Sequence, residues 1–120
     1  MPQSNGMRKL QRGEVVLAVD PYNGSGRRPF IIVSDESYPF YPNGYLGVPM
    51  TRKNKSNTME LHSYDVVKEF EPFEKDSTFV NPYSPVQVNE YGRSLCLIGD
   101  EFMDMLAHRV ARAIGLRQRV

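Results

Sequence analysis

The chain has 120 residues, of which 40% are hydrophobic, and a formal net charge of +1. This length fits one domain with a core of its own, and the single cysteine excludes an intramolecular disulfide. No apolar run approaches the roughly 20 residues of a transmembrane helix, and the first residues lack the apolar stretch of a signal peptide. We therefore expect a cytoplasmic protein without a membrane anchor.

The charges are unevenly distributed along the chain. Residues 1–12 and 109–120 contain arginines and lysines but no acid, whereas the residues between them hold 8 bases and all 14 acids. Basic ends favour a polyanionic partner, although solvated chain ends are the simpler explanation. Charge alone therefore does not identify the partner.

The first half of the chain predicts three strands. Residues 1–11 are polar and predict a flexible N-terminal arm, which is followed by a single domain over residues 12–120. Three apolar runs bounded by turn-forming residues predict strands, at residues 14–20, 30–34 and 45–50. Because Pro49 has no N–H to donate, it should place the end of the third strand at a sheet edge or a bulge.

The second half predicts shorter strands and then a change of structure. Strand-like pieces occur at residues 59–62 and 66–70, in an acidic stretch. Residues 78–80 and 86–88 flank Asn-Pro-Tyr-Ser-Pro and predict one interrupted strand, and residues 94–98 predict a short apolar strand. Many short strands with nine glycines and nine prolines favour a β-rich domain.

A C-terminal helix is predicted after residue 99. Apolar side chains recur there at helical spacing, at Phe102, Met105, Leu106, Val110, Ala113 and Ile114. Asp100 is suited to the N-cap of this helix and Gly115 to its C-cap. Short strands followed by one helix predict a mainly β fold, a small barrel with the helix packed on it.

The common catalytic and metal-binding motifs are absent from the sequence. There is no CxxC or HExxH pattern for zinc, no glycine-rich phosphate loop and no GxSxG element. Cys96 lies between two leucines, which predicts a buried thiol. We expect His108 on the surface, and His62 is a candidate general base that no motif supports.

Two places carry residues suited to phosphate. Arg27, Arg28 and Pro29 directly precede the second strand, where a planar guanidinium could bind a phosphate or form a surface salt bridge. Thr51 ends the third strand, where its hydroxyl could donate to a phosphate oxygen or lie in a solvated turn. Three bases follow it in the next loop: Arg52, Lys53 and Lys55.

These pieces occur in a particular order, RGEVVLAVDP, a glycine-rich turn, GRRPFIIVS, a loop and LGVPMT. The order resembles the PemK/MazF family of toxin endoribonucleases of toxin–antitoxin systems. That family has a strand opening RG[DE]VV, a DP and glycine-rich loop, G-x-RP before an apolar strand, and a strand ending VP-x-T. The resemblance is sharp over residues 12–52, weak over 53–92 and fair over 93–116.

The resemblance implies a small SH3-like barrel of the PemK/MazF type, which also resembles the gyrase-directed CcdB-like toxins. It implies a homodimer with single-stranded RNA in a groove between the subunits, and a cognate antitoxin as a second partner. It further implies an mRNA interferase that needs neither metal nor cofactor. The 2′-hydroxyl of the RNA is then the nucleophile, and the products carry a 2′,3′-cyclic phosphate and a 5′-hydroxyl.

The resemblance also implies roles for individual residues. The arginine before proline corresponds to Arg28, which would neutralise charge on the phosphate and protonate the leaving 5′-oxygen. The threonine after the Val-Pro pair corresponds to Thr51, which would hold a phosphate oxygen. These two are the expected catalytic residues, and the expected RNA-binding residues are Arg27, Arg52, Lys53, Lys55 and Asn81.

The sequence departs from the family pattern at the position of the general base. The loop after Pro21 is short and has no acid, and where many members have Asp-Gln this chain has Asn81 and Pro82. An asparagine cannot accept a proton, so His62 and Asp76 remain candidates for the base. The departures keep open a non-catalytic module of the same fold that binds nucleic acid or protein, including a gyrase-directed toxin, and also an unrelated small β domain.

Overall fold

The chain forms a sheet of short strands followed by a helix, the mainly β architecture with a C-terminal helix that the sequence predicts. The computed structural model describes residues 8–19, 26–55, 57–72, 78–113 and 115. No helix in these ranges is long and apolar enough to cross a membrane. The elements are β1 (Glu14–Val19), β2 (Arg27–Ile32), β3 (Tyr45–Thr51), β4 (Met59–Leu61), a 3-10 turn (Ser63–Asp65), β5 (Val66–Glu69), β6 (Thr78–Val80), β7 (Val86–Val88), β8 (Tyr91–Ile98) and α1 (Asp100–Ala113).

The strands are joined in the order β4-β6-β3-β2-β1-β8-β5, and β7 pairs with β3 beside this path. All of these pairs are antiparallel. The sheet curls into a half-barrel, as the right-handed twist between neighbouring strands favours. The curl brings loops from distant parts of the chain to the same end of the sheet.

β3 lies inside the sheet and changes its partner along its length. One edge of β3 pairs with β2, while the other edge pairs with β7 near Tyr45 and with β6 near Thr51. Pro49 lies between these two pairings and is buried. The expectation that Pro49 marks a sheet edge or a bulge is therefore wrong, because the missing N–H falls where β3 passes from one partner to the other.

The same change of partner explains why residues 78–88 form two strands and not one interrupted strand. β6 pairs with the C-terminal end of β3 and with β4, whereas β7 pairs with the N-terminal end of β3. The segment 81–85 between them crosses from one pairing to the other, and the N–H of Asn81 donates to the carbonyl of Pro49 at 3.0 Å. β8 also begins three residues earlier than the sequence predicts.

Both faces of the sheet are buried. Alternate residues of β1 divide between the faces, so Val15 joins one apolar cluster while Val16 joins the other. The first cluster includes the apolar face of α1 and Cys96, which is fully buried as predicted. The second cluster includes Tyr45 and Tyr91.

The apolar face of α1 agrees with the sequence prediction at Phe102, Leu106 and Val110 and differs at one methionine. The buried side chains are Phe102, Met103, Leu106 and Val110, and Met105 is 54% exposed. The prediction for Met105 is therefore wrong, because spacing alone did not separate two neighbouring methionines. Asp100 is the first residue of α1 and not the cap before it, since the N–H of Met103 already donates to the carbonyl of Gly99.

Residues 8–11, which the sequence places in a flexible arm, pack against the second cluster. Leu10 is 4% exposed, and its N–H donates to the hydroxyl of Tyr45 at 2.9 Å. The hydroxyl of Tyr91 donates to the carbonyl of Arg8. Burial, together with the neighbouring Tyr45, raises the pKa of Tyr91 to about 12. The packed part of the chain therefore includes residue 8, and residues 1–7 of the expected arm lie outside the described residues.

Gly13 links the ends of β2 and β8 through backbone hydrogen bonds. Its φ is +93°, its N–H donates to the carbonyl of Ile32, and its carbonyl accepts from the N–H of Ile98. A Cβ at this position would lie 2.8 Å from the carbonyl oxygen of Ile98. We expect Gly13→Ala to lower the free energy of unfolding by about 2 kcal/mol or more, through backbone strain and this clash.

The matched control is Gly115→Ala. Gly115 has a φ of +89°, in the left-handed region that suits the expected C-cap, and a Cβ there would meet no atom within 4 Å. Gly115→Ala should therefore lower the free energy of unfolding by about 1–2 kcal/mol, from backbone strain alone. Urea unfolding with an unchanged m value measures both losses. An equal loss of unfolding free energy in the two variants would show that the close contact with the carbonyl oxygen of Ile98 contributes nothing.

Candidate functional site

The pairing of β2 with β3 brings Arg28 and Thr51 together. Phe30 pairs with Pro49 in this antiparallel register. Continued by two more residues along each strand, the register sets Arg28 opposite Thr51. Both side chains are half-buried. We call this pair the ridge, because it lies between two depressions in the surface.

The guanidinium of Arg28 is held against the end of β3. Its Nη2 donates to the carbonyl oxygen of Met50 at 2.5 Å. Pro29 fixes its own φ and restricts the backbone of Arg28 before it, so the start of β2 has little conformational freedom. A guanidinium carries several N–H donors in one plane.

The hydroxyl of Thr51 begins the turn that follows β3. Its Oγ1 accepts the N–H of Lys53 at 3.2 Å, and the hydroxyl hydrogen can still donate. Further along, Thr58 closes the loop, since its hydroxyl accepts the N–H of Lys55 and donates to the carbonyl of the same residue. These short-range bonds position the two lysines beside the ridge.

The first depression, which we call the basic depression, has a volume of about 440 Å³. Asn81 lines it in a fixed orientation, because its amide donates to the hydroxyl of Ser84 and its carbonyl oxygen accepts the N–H of Tyr83. No acid is found among the described residues that line it. These residues are Arg28, Pro49, Thr51, Lys53, Lys55, Thr58, Asn81 and Ser84.

The second depression, which we call the apolar depression, lies on the other side of the ridge and has a volume of about 320 Å³. Its walls are mostly carbon, from Pro29, Met50 and Leu95. Met50 and Leu95 also belong to the cluster that packs on α1, so the depression opens onto the core. The full lining is Arg28, Pro29, Met50, Thr51, Arg52, Thr78 and Leu95.

Six of the seven residues that the sequence proposes as a site line these depressions: Arg28, Thr51, Arg52, Lys53, Lys55 and Asn81. Arg27 does not, because successive side chains of a strand point to opposite faces. Its guanidinium lies beside Gly92 of β8. A role for Arg27 in binding RNA stays a prediction, and the geometry places it apart from the ridge.

Neither candidate for the general base is placed at the ridge. His62 lies at the end of β4, within 3.7 Å of Glu60 and 3.6 Å of Asp65, and its ring stacks on Tyr64 at 4.9 Å. It lines neither depression. Asp76 lies outside the described residues. His108 is exposed, as expected.

The described residues that line the ridge and its depressions include no carboxylate, imidazole or phenol. Within the same described ranges, no group of three or more His, Cys, Asp or Glu side chains could hold a metal ion. These residues offer guanidinium, ammonium, hydroxyl and amide donors, which are groups suited to an anion such as a phosphate.

Sequence reasoning missed several lining residues. Thr78, Ser84 and Leu95 come from β6, from the segment after it and from β8. None of them stands in a motif, and each reaches the ridge only through the pairing of strands that are far apart in the chain. Thr78 begins a short apolar run, and its position in the sequence indicates only where a strand starts.

Comparison with known proteins supports the fold. No protein-family model and no curated protein sequence matches the chain. Three similar solved structures are a mycobacterial endoribonuclease in complex with its cognate antitoxin (19% identity, TM-score 0.68), a MazE-MazF complex from Deinococcus radiodurans (16%, 0.69) and the toxin MazF-mt6 from Mycobacterium tuberculosis (14%, 0.64).

These likenesses extend over nearly the whole chain. They cover 92%, 92% and 89% of this chain and 99%, 100% and 100% of the respective chains. The protein therefore has the MazF fold, which confirms the small barrel with a C-terminal helix that the sequence predicts.

Proposed function

We propose that this protein is a toxin endoribonuclease that cleaves single-stranded RNA without a metal ion, using the 2′-hydroxyl of the RNA as nucleophile. The observation that carries the proposal is the ridge, an arginine and a threonine side by side between a basic and an apolar depression. The fold is that of proteins named endoribonucleases, and the ridge offers donors suited to a phosphodiester.

The basic depression favours a polyanionic substrate. Arg28, Lys53 and Lys55 bring three positive charges to it, and the described lining residues include no acid. A polyanion that binds such a cluster of charges releases its condensed counterions, which favours binding. Such contacts position a nucleic-acid backbone but carry little sequence information.

In the proposed reaction the 2′-oxygen forms a bond to phosphorus while the bond from phosphorus to the 5′-oxygen breaks. Solvent water takes up the 2′-proton and supplies a proton to the 5′-oxygen, because the described lining residues include no carboxylate or imidazole for either transfer. The products are a 2′,3′-cyclic phosphate and a 5′-hydroxyl. Because the attacking and attacked groups belong to one RNA, the step gains from intramolecular proximity.

Arg28 and Thr51 would stabilise the charge that develops on the phosphate oxygens. The guanidinium is already oriented by the carbonyl of Met50, so little reorganisation is needed in the transition state. A guanidinium presents several N–H donors in one plane, which suits stabilisation of charge on the phosphate better than transfer of a proton to the leaving oxygen. The hydroxyl of Thr51 would donate to a second phosphate oxygen.

Partners follow the same reasoning. We propose a cognate antitoxin and a second copy of the chain as partners in the cytoplasm. Two of the similar structures are complexes with antitoxins. An antitoxin that blocked the basic depression would compete with the RNA backbone.

One observation favours a second function, a nucleic-acid-binding module that does not cut. The described lining residues supply no group that would accept the 2′-proton near neutral pH as a carboxylate or an imidazole does. A denaturing gel of mixed RNA incubated with the protein and EDTA distinguishes the two functions. Discrete fragments support the endoribonuclease, and intact RNA supports the binding module.

The first prediction concerns Arg28. Arg28→Ala should lower kcat/KM for RNA cleavage by about 10²-fold or more, as expected for a charge-stabilising donor. The control is Arg109→Ala, which removes an exposed arginine of α1 and should keep the parent rate. Thermal unfolding checks that both variants are folded. Cleavage by Arg28→Ala within about threefold of the parent would remove Arg28 from the mechanism.

The second prediction separates the hydroxyl of Thr51 from its methyl group. Thr51→Val should lower kcat by about tenfold or more, whereas Thr51→Ser should stay within about threefold of the parent. Since the hydroxyl also accepts the N–H of Lys53, a change in KM alone would indicate loss of loop position and not of catalysis. An equal loss of kcat in Thr51→Val and Thr51→Ser would indicate that the packing of the Thr51 side chain matters and not its hydroxyl.

The third prediction tests the nucleophile. An RNA with one 2′-deoxy nucleotide on the 5′ side of the cut should survive, while the matched all-RNA strand is cut in excess EDTA. Mass spectrometry should show a cyclic product about 18 Da lighter than the linear phosphate, the mass of one water. Cleavage of the deoxy strand, or a strict requirement for Mg²⁺, would overturn the mechanism.

A further inference from the structure

We propose that residues 8–11, which we call the strap, hold the irregular start of β8 in place, and that Arg8 is thereby a positioning residue for the ridge. The effect on cleavage rests on the proposed function. The inference goes beyond that function, because none of the strap residues lines either depression. Its structural basis is the irregular pairing of β8 with β1.

The pairing of β1 with β8 skips one residue at Leu95. Val15 and Val16 are neighbours in β1, but their partners Cys96 and Ser94 are not neighbours in β8, so Leu95 is left over between them. A bulge of this kind turns a side chain in a new direction and is frequent beside functional sites. The side chain of Leu95 lines the apolar depression next to the ridge.

A second irregularity lies nearer the start of β8. The two-residue step from Val16 to Ala18 on β1 faces a three-residue step on β8, which leaves one extra residue at positions 92–93. Among the described residues, the ladder between β5 and β8 reaches only to Cys96. A bulge interrupts the ladder of backbone hydrogen bonds, so sheet pairing holds the start of β8 less firmly than its end.

The strap binds this irregular part of β8. The Nη2 of Arg8 donates to the carbonyl of Gly92 at 2.7 Å and to the hydroxyl of Ser94 at 3.1 Å. The guanidinium also lies 5.3 Å from the centre of the Tyr91 ring, and the Tyr91 hydroxyl donates to the carbonyl of Arg8. Arg8 therefore contacts three of the first four residues of β8.

The strap is itself anchored by buried groups. Leu10 is 4% exposed, and its N–H donates to the hydroxyl of Tyr45. The carboxylate of Glu14, which is also buried, accepts from the N–H of Gln11 and from the hydroxyl of Ser94. Removing these donors from a buried carboxylate would be unfavourable, so the strap is a fixed support for β8.

Two contacts connect the start of β8 with the ridge. Leu95 and Arg28 line the same depression. Gly92 has no side chain, and the guanidinium of Arg27 occupies the space in which a Cβ would lie. Successive side chains of a strand point to opposite faces, so a fixed Arg27 favours Arg28 on the side of the ridge. A loosened start of β8 would give Arg28 more freedom and slow a step that depends on its orientation.

The first arm of the experiment uses the free protein and needs no cleavage. Amide hydrogen exchange is compared by NMR in the parent, in Arg8→Ala and in the matched control Lys9→Ala, which removes a neighbouring exposed charge. In Arg8→Ala, exchange should become about fivefold or more faster at residues 92–95 and at Phe70, whose N–H donates to the carbonyl of Leu95. The amides of α1 should keep the parent rate.

The second arm measures cleavage and adds Tyr91→Phe, which removes the hydrogen bond to the carbonyl of Arg8 without a change of charge. We expect kcat to fall by about threefold to tenfold in Arg8→Ala and in Tyr91→Phe, with KM within about twofold of the parent. A direct contact of Arg8 with RNA would instead raise KM in Arg8→Ala alone and reduce the salt slope of RNA binding by about one. That result would overturn the positioning role.

The strap and the endoribonuclease fail on different results. RNA left intact by the parent in EDTA overturns the endoribonuclease, and the exchange arm then decides whether the strap holds β8. Parent-like exchange in Arg8→Ala, or uniformly faster exchange that includes α1, overturns the strap even where RNA is cut. Faster local exchange with an unchanged kcat overturns the positioning role. Equal effects in Lys9→Ala would attribute the changes to charge and overturn the role of the hydrogen bonds.

Discussion

The antiparallel register between β2 and β3 is the constraint on which the rest of the site depends. It sets Arg28 opposite Thr51, and it is maintained by Phe30, Ile31 and Ile32, all of which are fully buried. A slip by one residue would turn each of these side chains to the other face of the sheet. The packing of the core therefore fixes the position of two polar residues that contribute little to it.

The change of partner along β3 has a second consequence for the site. Because β7 pairs with one end of β3 and β6 with the other, the segment between them passes close to Pro49. The bond from the N–H of Asn81 to the carbonyl of Pro49 brings this segment to the loop that carries Lys53 and Lys55. The basic depression exists because one strand has two partners on the same edge.

Holding Arg28 in place before a ligand arrives has a cost and a benefit. A carbonyl acceptor and a half-buried position restrict the side chain, and neighbouring lysines repel it. Under the proposed function, these costs are met during folding and not again on binding of a phosphate.

Local pattern in the sequence determined much of this protein. Apolar runs between turn formers located most of the strands, helical spacing located α1, and the order of motifs selected Arg28, Thr51 and the bases after it. The apolar runs and the helical spacing are local signals, since each depends on residues within a few positions of one another. The motif order extends over residues 12–52 and contributes through the family resemblance. They were sufficient for the fold class and for most of the residues around the ridge.

The tertiary structure decided what depends on pairing between distant residues. The side of β2 on which Arg27 lies follows from the face that Arg28 occupies, and the place of Pro49 inside the sheet follows from the two partners of β3. Whether Met103 or Met105 is buried depends on the rotation of α1 about its axis as it packs against the sheet. Thr78 and Leu95 reach the apolar depression only because β6 and β8 curl toward the same end. No local pattern encodes such neighbours, because the free energy that selects them comes from packing of the whole core.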